Sequence, residues 1–172
     1  NLLFAAQEIS KLPLVLDGAE LDEAVLDAMA SDQARFSVFP LVDAALAGKT
    51  AESVRMLHGL QREGSEAILV NWALAREIRS LYPMSLEIAA GADRKSVLQR
   101  HRVWRSRASC ISSAISRLTA KDFRALLQQL AYSDLVLKGQ RQAPGGIWAE
   151  LERAVLMLCG INVLQRKDAV NY

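Results

Sequence analysis

The sequence predicts an all-α protein, and three observations carry that prediction. Apolar residues recur at intervals of three and four in at least five segments, a spacing that lines up one face of a helix. The composition is 51% hydrophobic but only 6% aromatic, with Ala and Leu, both strong helix formers, in front. Four prolines in 172 residues leave long stretches free of the residue that most disrupts a helix. Charged residues make up 23%, so the chain can bury a packed core and is not expected to be disordered.

The length fits one ordinary domain, or a small one and part of another. Cys110 and Cys159 stand in apolar helical patterns without metal-ligand spacing, which predicts buried free thiols in a reducing, cytoplasmic setting. There is no signal peptide, and no apolar run reaches the roughly 18 residues that span a bilayer, so no membrane contact is expected. The chain opens at Asn1, inside a helical pattern and without Met, which predicts a piece of a longer protein.

Residues 1 to 12 carry Leu2, Phe4 or Ala5, Ile9 and Leu12 at helical spacing, and Pro13 stops that helix. A short extended piece and the Asp17-Gly18 turn follow. Leu21, Val25 and Met29 mark a second short helix. The polar run Ser31-Asp32-Gln33 places a domain boundary near residue 32.

Leu41, Val42, Ala45 and Leu46 predict a compact helix from Phe39 to Ala47, with Gly48 as its stop. Thr50 is expected to cap a helix that runs to Arg62. Gly64 ends that one, and Ser65 is expected to cap the next. Residues 66 to 82 are apolar on most sides, so this helix is expected at the centre, with Trp72 in the core. Pro83 is expected to kink or break it, with a weaker helix to Ala90 and a turn at Val97-Leu98. Residues 106 to 118 predict a helix with Cys110, Ile111, Ala114, Ile115 and Leu118 inward. Thr119 to Asp122 reads as a capping box that opens a long helix with Phe123, Leu126, Leu127 and Leu130 on one stripe. Residues 139 to 146 form a flexible loop. Trp148, Leu151, Val155, Leu158 and Cys159 stripe the last long helix, with Trp148 expected in the core, and Gly160 ends it.

A search for catalytic or ligand-binding constellations finds little. The two histidines, His58 and His101, have no Cys, Asp or Glu at metal-ligand spacing. No glycine-rich loop precedes a helix with the Lys and Ser/Thr of a phosphate cradle. Asp134 and Lys138 lie one turn apart and are expected to pair. No cofactor, metal or catalytic residue is predicted, and the chain reads as a binding or assembly module.

One stretch stands apart. Arg100-His101-Arg102-Val103-Trp104-Arg105-Ser106-Arg107 holds four arginines, a histidine and an indole, without an acid, on a chain whose formal net charge is only +2. Guanidinium groups match phosphate oxygens, and an indole offers a face on which a base stacks. The functional reading is a nucleic-acid contact through Arg100, His101, Arg102, Trp104, Arg105 and Arg107. The plainer reading is a solvated basic turn with Trp104 buried in a helical core. A second expectation concerns assembly. The helices from Glu66 to Tyr82 and from Trp148 to Cys159 carry more apolar residues than a small bundle covers. Leu151, Val155, Leu156 and Met157 are therefore candidates for a subunit interface.

The ordered set of motifs resembles the C-terminal half of the delta-subunit family of the bacterial DNA polymerase III clamp loader. It comprises Asn1-Leu2-Leu3, Ala6-Gln7, Lys11-Leu12, Val42-Asp43-Ala44-Ala45-Leu46 with Gly48, and the run Leu57 to Glu66. His101-Arg102-Val103-Trp104, Asp134 with Lys138, and Trp148-Ala149-Glu150-Leu151-Glu152 complete it. The residues between Gly139 and Gly146 depart from the family's pattern. The resemblance implies the end of a small helical lid domain up to residue 32 and a helical collar domain over 33–172. It implies partners: the tau/gamma and delta prime subunits, primed DNA, and the sliding clamp through an N-terminal domain that this sequence lacks. It implies no ATP hydrolysis by the chain itself, only membership of a polymerase holoenzyme. A stand-alone helical adaptor without a nucleic-acid role is the alternative.

Overall fold

A computed structural model describes residues 38–162, which belong to a unit that starts at Ser37. Among them are seven helices and no strand: α1 (Val38–Leu46), α2 (Thr50–Arg62), α3 (Ala67–Ala89), α4 (Arg94–Arg100), α5 (Arg105–Arg117), α6 (Ala120–Leu137) and α7 (Gly146–Leu158). The helices expected before residue 32, the boundary there and the tail beyond residue 162 lie outside the described residues.

The long helix α3 is central, as its apolar residues predict. It packs most extensively against α6 and also touches α1, α4, α5 and α7. Its inner face, Val70, Leu74, Ile78, Leu81 and Met84, is fully buried, as are Phe123, Leu126 and Leu130 of α6 and Leu151, Val155 and Leu158 of α7. The capping box is present: the Asp122 amide donates to the Thr119 hydroxyl, and the Thr119 amide donates to the Asp122 carboxylate at 2.7 Å. Lys138 donates to Asp134 at 2.6 Å.

Several local expectations are corrected. Pro83 does not break α3, which runs through it to Ala89. An interior proline costs about 3 kcal/mol, but Leu81 and Met84 on either side are locked in the core, and burying two such side chains offsets it. The Ser85 hydroxyl also donates to the Tyr82 carbonyl at 2.6 Å. Thr50 and Ser65 are not caps: the N-cap positions are Lys49 and Glu66, and neither makes a side-chain cap bond. The Val97-Leu98 segment is helix α4, capped by Asp93, whose carboxylate accepts from the Ser96 amide at 2.9 Å. Trp72 is not core. It is 49% exposed, because it lies on the opposite side of α3 from Leu74 and Ile78. Trp148 is half-buried and packs against the core.

Candidate nucleic-acid interface

The basic stretch forms the corner between α4 and α5. Arg100 is the last residue of α4, His101 caps it, and Trp104 is the N-cap of α5. The chain turns between them through two backbone bonds: the Arg102 amide donates to the Gln99 carbonyl and the Val103 amide to the Leu98 carbonyl, both at 3.0 Å. This is the Schellman closure, which requires a left-handed residue just after the cap. Arg102 takes that place at φ +51°, the lone non-glycine with positive φ among the described residues.

Five other helices, α1, α2, α3, α6 and α7, close with the same two bonds, and each puts glycine there: Gly48, Gly64, Gly91, Gly139 and Gly160. An L-residue in this conformation costs roughly 1–2 kcal/mol. Arg102 therefore stands where this fold otherwise uses glycine. Such strain gathers at functional positions, where the side chain is needed more than the relaxed backbone.

The corner sorts its side chains into two groups. Trp104 is 79% exposed, which removes the reading of a buried indole. Arg102 and Arg105 flank it, are exposed, and make no ion pair among the described residues. The other three cations are engaged. Arg100 donates to Glu87, and His101 Nε2 lies 2.7 Å from the other oxygen of that carboxylate. The hydrogen bonds from Arg100 and then His101 hold the Glu87 carboxyl below the usual glutamate range. Arg107 turns inward, donating to Asp43 at 2.6 and 3.0 Å and to Glu77 at 3.0 Å. Burial works against its charge, but the bonds to Glu77 and Asp43 more than offset this, so its pKa is raised. It ties α5 to α1 and α3 beside a shallow depression that Phe39, Ala73 and Arg76 also line.

The acids that engage these cations lie up to 64 positions away in sequence, so the stretch itself gave no sign of them. Three of the six basic-stretch candidates are thus presented free to solvent at one point: Arg102, Trp104 and Arg105. No helix of the described residues is long and apolar enough to cross a membrane. No cluster of metal-ligating side chains occurs among them either.

A family model described as "Processivity clamp loader gamma complex DNA pol III C-term" matches residues 38–165. The chain belongs to this family. The DNA polymerase III subunit delta of Escherichia coli (strain K12) is 32% identical over 159 residues, covering 92% of this chain and 46% of the relative. The subunit of the same name from Haemophilus influenzae is 26% identical over 171 residues, covering 92% of this chain and 48% of the relative. The clamp-loader chain described here thus spans about half the length of these relatives.

Within this clamp-loader domain, the four candidates for a subunit interface divide. Leu151 and Val155 are fully buried in the chain's own core, where they hold α7 in place. Leu156 and Met157 are half-buried on the same helix. His58 of α2 reaches Glu152 of α7 at 2.7 Å across an exposed seam.

Proposed function

We propose that this chain is the lid and collar part of a clamp-loader delta subunit, with the collar over 33–172. It assembles through collar helices with tau/gamma and delta prime subunits, and the whole assembly loads the sliding clamp onto primed DNA in the cytoplasm. The chain itself supplies no chemical step; its part is to hold subunits and DNA in register. Family membership and the names of the relatives support the assembly role. Of the four interface candidates on α7, only Leu156 and Met157 keep part of their surface for a partner to cover.

The observation that carries the DNA contact is the exposed Trp104 between Arg102 and Arg105. An indole this exposed contributes little to the fold. Set beside two unpaired guanidinium groups, it makes a stacking face with a phosphate clamp on either side. The matching ligand is the end of a primed duplex or an unpaired template base, where a base presents its face. Arg100 and His101 extend the positive surface, but Glu87 holds part of their charge.

The test is made in the assembled clamp loader with primed DNA. Trp104→Ala is expected to weaken binding by about 1–3 kcal/mol, the worth of one stack. Arg102→Ala and Arg105→Ala are each expected to flatten the salt dependence by about one unit of slope. None of the three is expected to lower thermal stability. The reading fails if Trp104→Ala leaves DNA affinity and clamp loading unchanged. A chain that neither co-purifies with clamp-loader subunits nor shows salt-dependent DNA affinity would be a helical adaptor instead.

A further inference from the structure

The long helix α3 has two stripes, and the bundle uses only one. The unused stripe points to solvent and carries Ile68, Leu69, Trp72, Arg76, Arg79 and Leu86 at intervals of one, three, four, three and seven. These spacings keep the six side chains on one side of the helix. Ile68, Leu69, Trp72 and Leu86 are four of the large apolar residues that the described chain leaves exposed. At about 1.5 Å per residue the stripe is about 27 Å long. Soluble proteins scatter exposed apolar residues singly; the cluster of Ile68, Leu69 and Trp72, with Leu86 farther along the same side, marks a surface made for contact.

The charge pattern says what fits. The apolar residues lie toward the two ends, and the two arginines lie in the middle. Arg76 stacks over Trp72, 5.4 Å from the ring centroid. Neither Arg76 nor Arg79 makes an ion pair among the described residues. The two acids nearest on the helix are engaged elsewhere, Glu77 with Arg107 and Glu87 with Arg100 and His101. The stripe therefore carries two cations without an ion pair at its centre; Asp43 and Glu77, which line the depression beside Arg76, are both taken by Arg107. A second copy of this face would set Arg76 and Arg79 against their own kind, which argues against self-association through it.

We infer that the outer stripe of α3 docks an amphipathic helix of a partner protein, apolar toward its two ends and acidic at its middle. A helix laid lengthwise would cover Ile68, Leu69 and Trp72 at one end and Leu86 at the other, and its carboxylates would meet Arg76 and Arg79. Trp72 and the arginine stacked on it form the anchor, the pair of residue types that most often dominates an interface. The inference rests on the assembly reading above and adds the face and the chemistry of the partner.

The experiment uses the full-length protein that contains this chain, reconstituted with purified clamp-loader subunits. Arg76→Glu combined with Arg79→Glu is expected to weaken association at least about tenfold, with unchanged thermal unfolding because both side chains are exposed. Leu69→Glu is expected to do the same. A photo-crosslinking residue in place of Trp72 is expected to capture a partner helix whose acids lie between apolar residues. If the unaltered chain does not assemble at all, the assembly reading itself fails. If it assembles and both variants bind as well as the parent, with no crosslink from position 72, only the docking inference is overturned. It is equally overturned if the charge reversal spares assembly but weakens binding to primed DNA, which would make the stripe a nucleic-acid contact. A crosslink between two copies of this chain would overturn it as well.

Discussion

The ends of α4 and α7 are built on the same backbone scheme and used in opposite ways. Both helices close with the Schellman pair of bonds, so both need a left-handed residue after the cap. At α7 that residue is Gly160, and the Arg117 side chain lies against it. A β-carbon there would come within 2.6 Å of the Arg117 side chain. A β-carbon at Gly48, at the end of α1, would likewise meet the Arg117 guanidinium at 2.8 Å. Arg117 lies between the two ends and donates to the carbonyls of Ala45, Leu46 and Leu158. One cation thus neutralises the negative poles of two helices and ties α5, α1 and α7 together. At α4 the left-handed residue is Arg102, which faces water and caps nothing. The lesson is that an arginine's role is set by the acceptors the fold brings to it. Arg117 has three carbonyls and is structural; Arg102 has none and pays a backbone penalty to stand where it does.

The comparison breaks most visibly at Arg117. Arg117→Ala is expected to lower stability by about 3 kcal/mol, because it leaves three half-buried carbonyls without their charged donor. Arg117→Lys should recover only a small part of that, since an ammonium cannot reach two helix ends as a planar fork does. A denaturant titration reads both. A loss under about 1 kcal/mol for the alanine variant would mean that water replaces the clamp.

Arg107 is the intermediate case, drawn from the basic stretch but spent on structure. Arg107→Ala is expected to cost about 1–2 kcal/mol, leaving Glu77 poorly solvated beside the core. Because its donors are already given to Asp43 and Glu77, the same variant should leave the salt dependence of DNA binding nearly unchanged. A slope that falls by a full unit would show Arg107 released to phosphate in the complex.

Arg102 has the opposite sign. Arg102→Gly is expected to raise stability by about 0.5–1 kcal/mol, since glycine adopts the left-handed conformation without a side-chain clash. It should also remove one unit from the salt slope of DNA binding. A variant more stable but weaker on DNA is the trade expected of a strained functional position. If Arg102→Gly is both less stable and equally tight, Arg102 is only a tolerated residue in a turn.

How much of this was legible beforehand follows from what each feature depends on. The helices were, because a 3.6-residue period is a local property: the capping box at Thr119, the pairing of Asp134 with Lys138 and the central place of α3 all rest on residues within one or two turns. At Pro83, where a kink or a break was expected, the helix is not broken, because a local penalty was outweighed by packing of Leu81 and Met84, which the sequence does not display. Trp72 misled for a related reason. A helix apolar on every side does not say which side stays outside, and here it is the side with Trp72 and Arg76. The basic stretch was visible as composition, but its division into free and engaged cations was not. That division depends on Asp43, Glu77 and Glu87, which are brought to it by the fold from other helices. Gly48, Gly64, Gly91, Gly139 and Gly160 each follow a helix, and an arginine in the equivalent place after α4 was a signal the sequence did contain, readable once the end of α4 is known.

The smallest expected effect is at Glu87, where the corner's remaining charge is held back. Its carboxylate receives Arg100 and His101 together, and these bonds lower its pKa. A depressed acid contributes stability that is present above the ordinary glutamate range and lost as pH falls through the folded value. The carboxylate is exposed, so this contribution is small, and it varies with pH only in the acid range. Glu87→Gln should remove that acid-limb dependence and lower stability near neutrality only slightly. Its more informative effect is on binding. With the carboxylate gone, Arg100 is free to meet phosphate beside Arg102 and Arg105, so the salt slope should steepen by up to about one unit. Combining Glu87→Gln with Arg100→Ala should return the slope to the parent value, because the released cation is then missing. If Glu87→Gln leaves the slope where it was, Arg100 lies beyond the reach of the DNA, and the contact is confined to Arg102, Trp104 and Arg105.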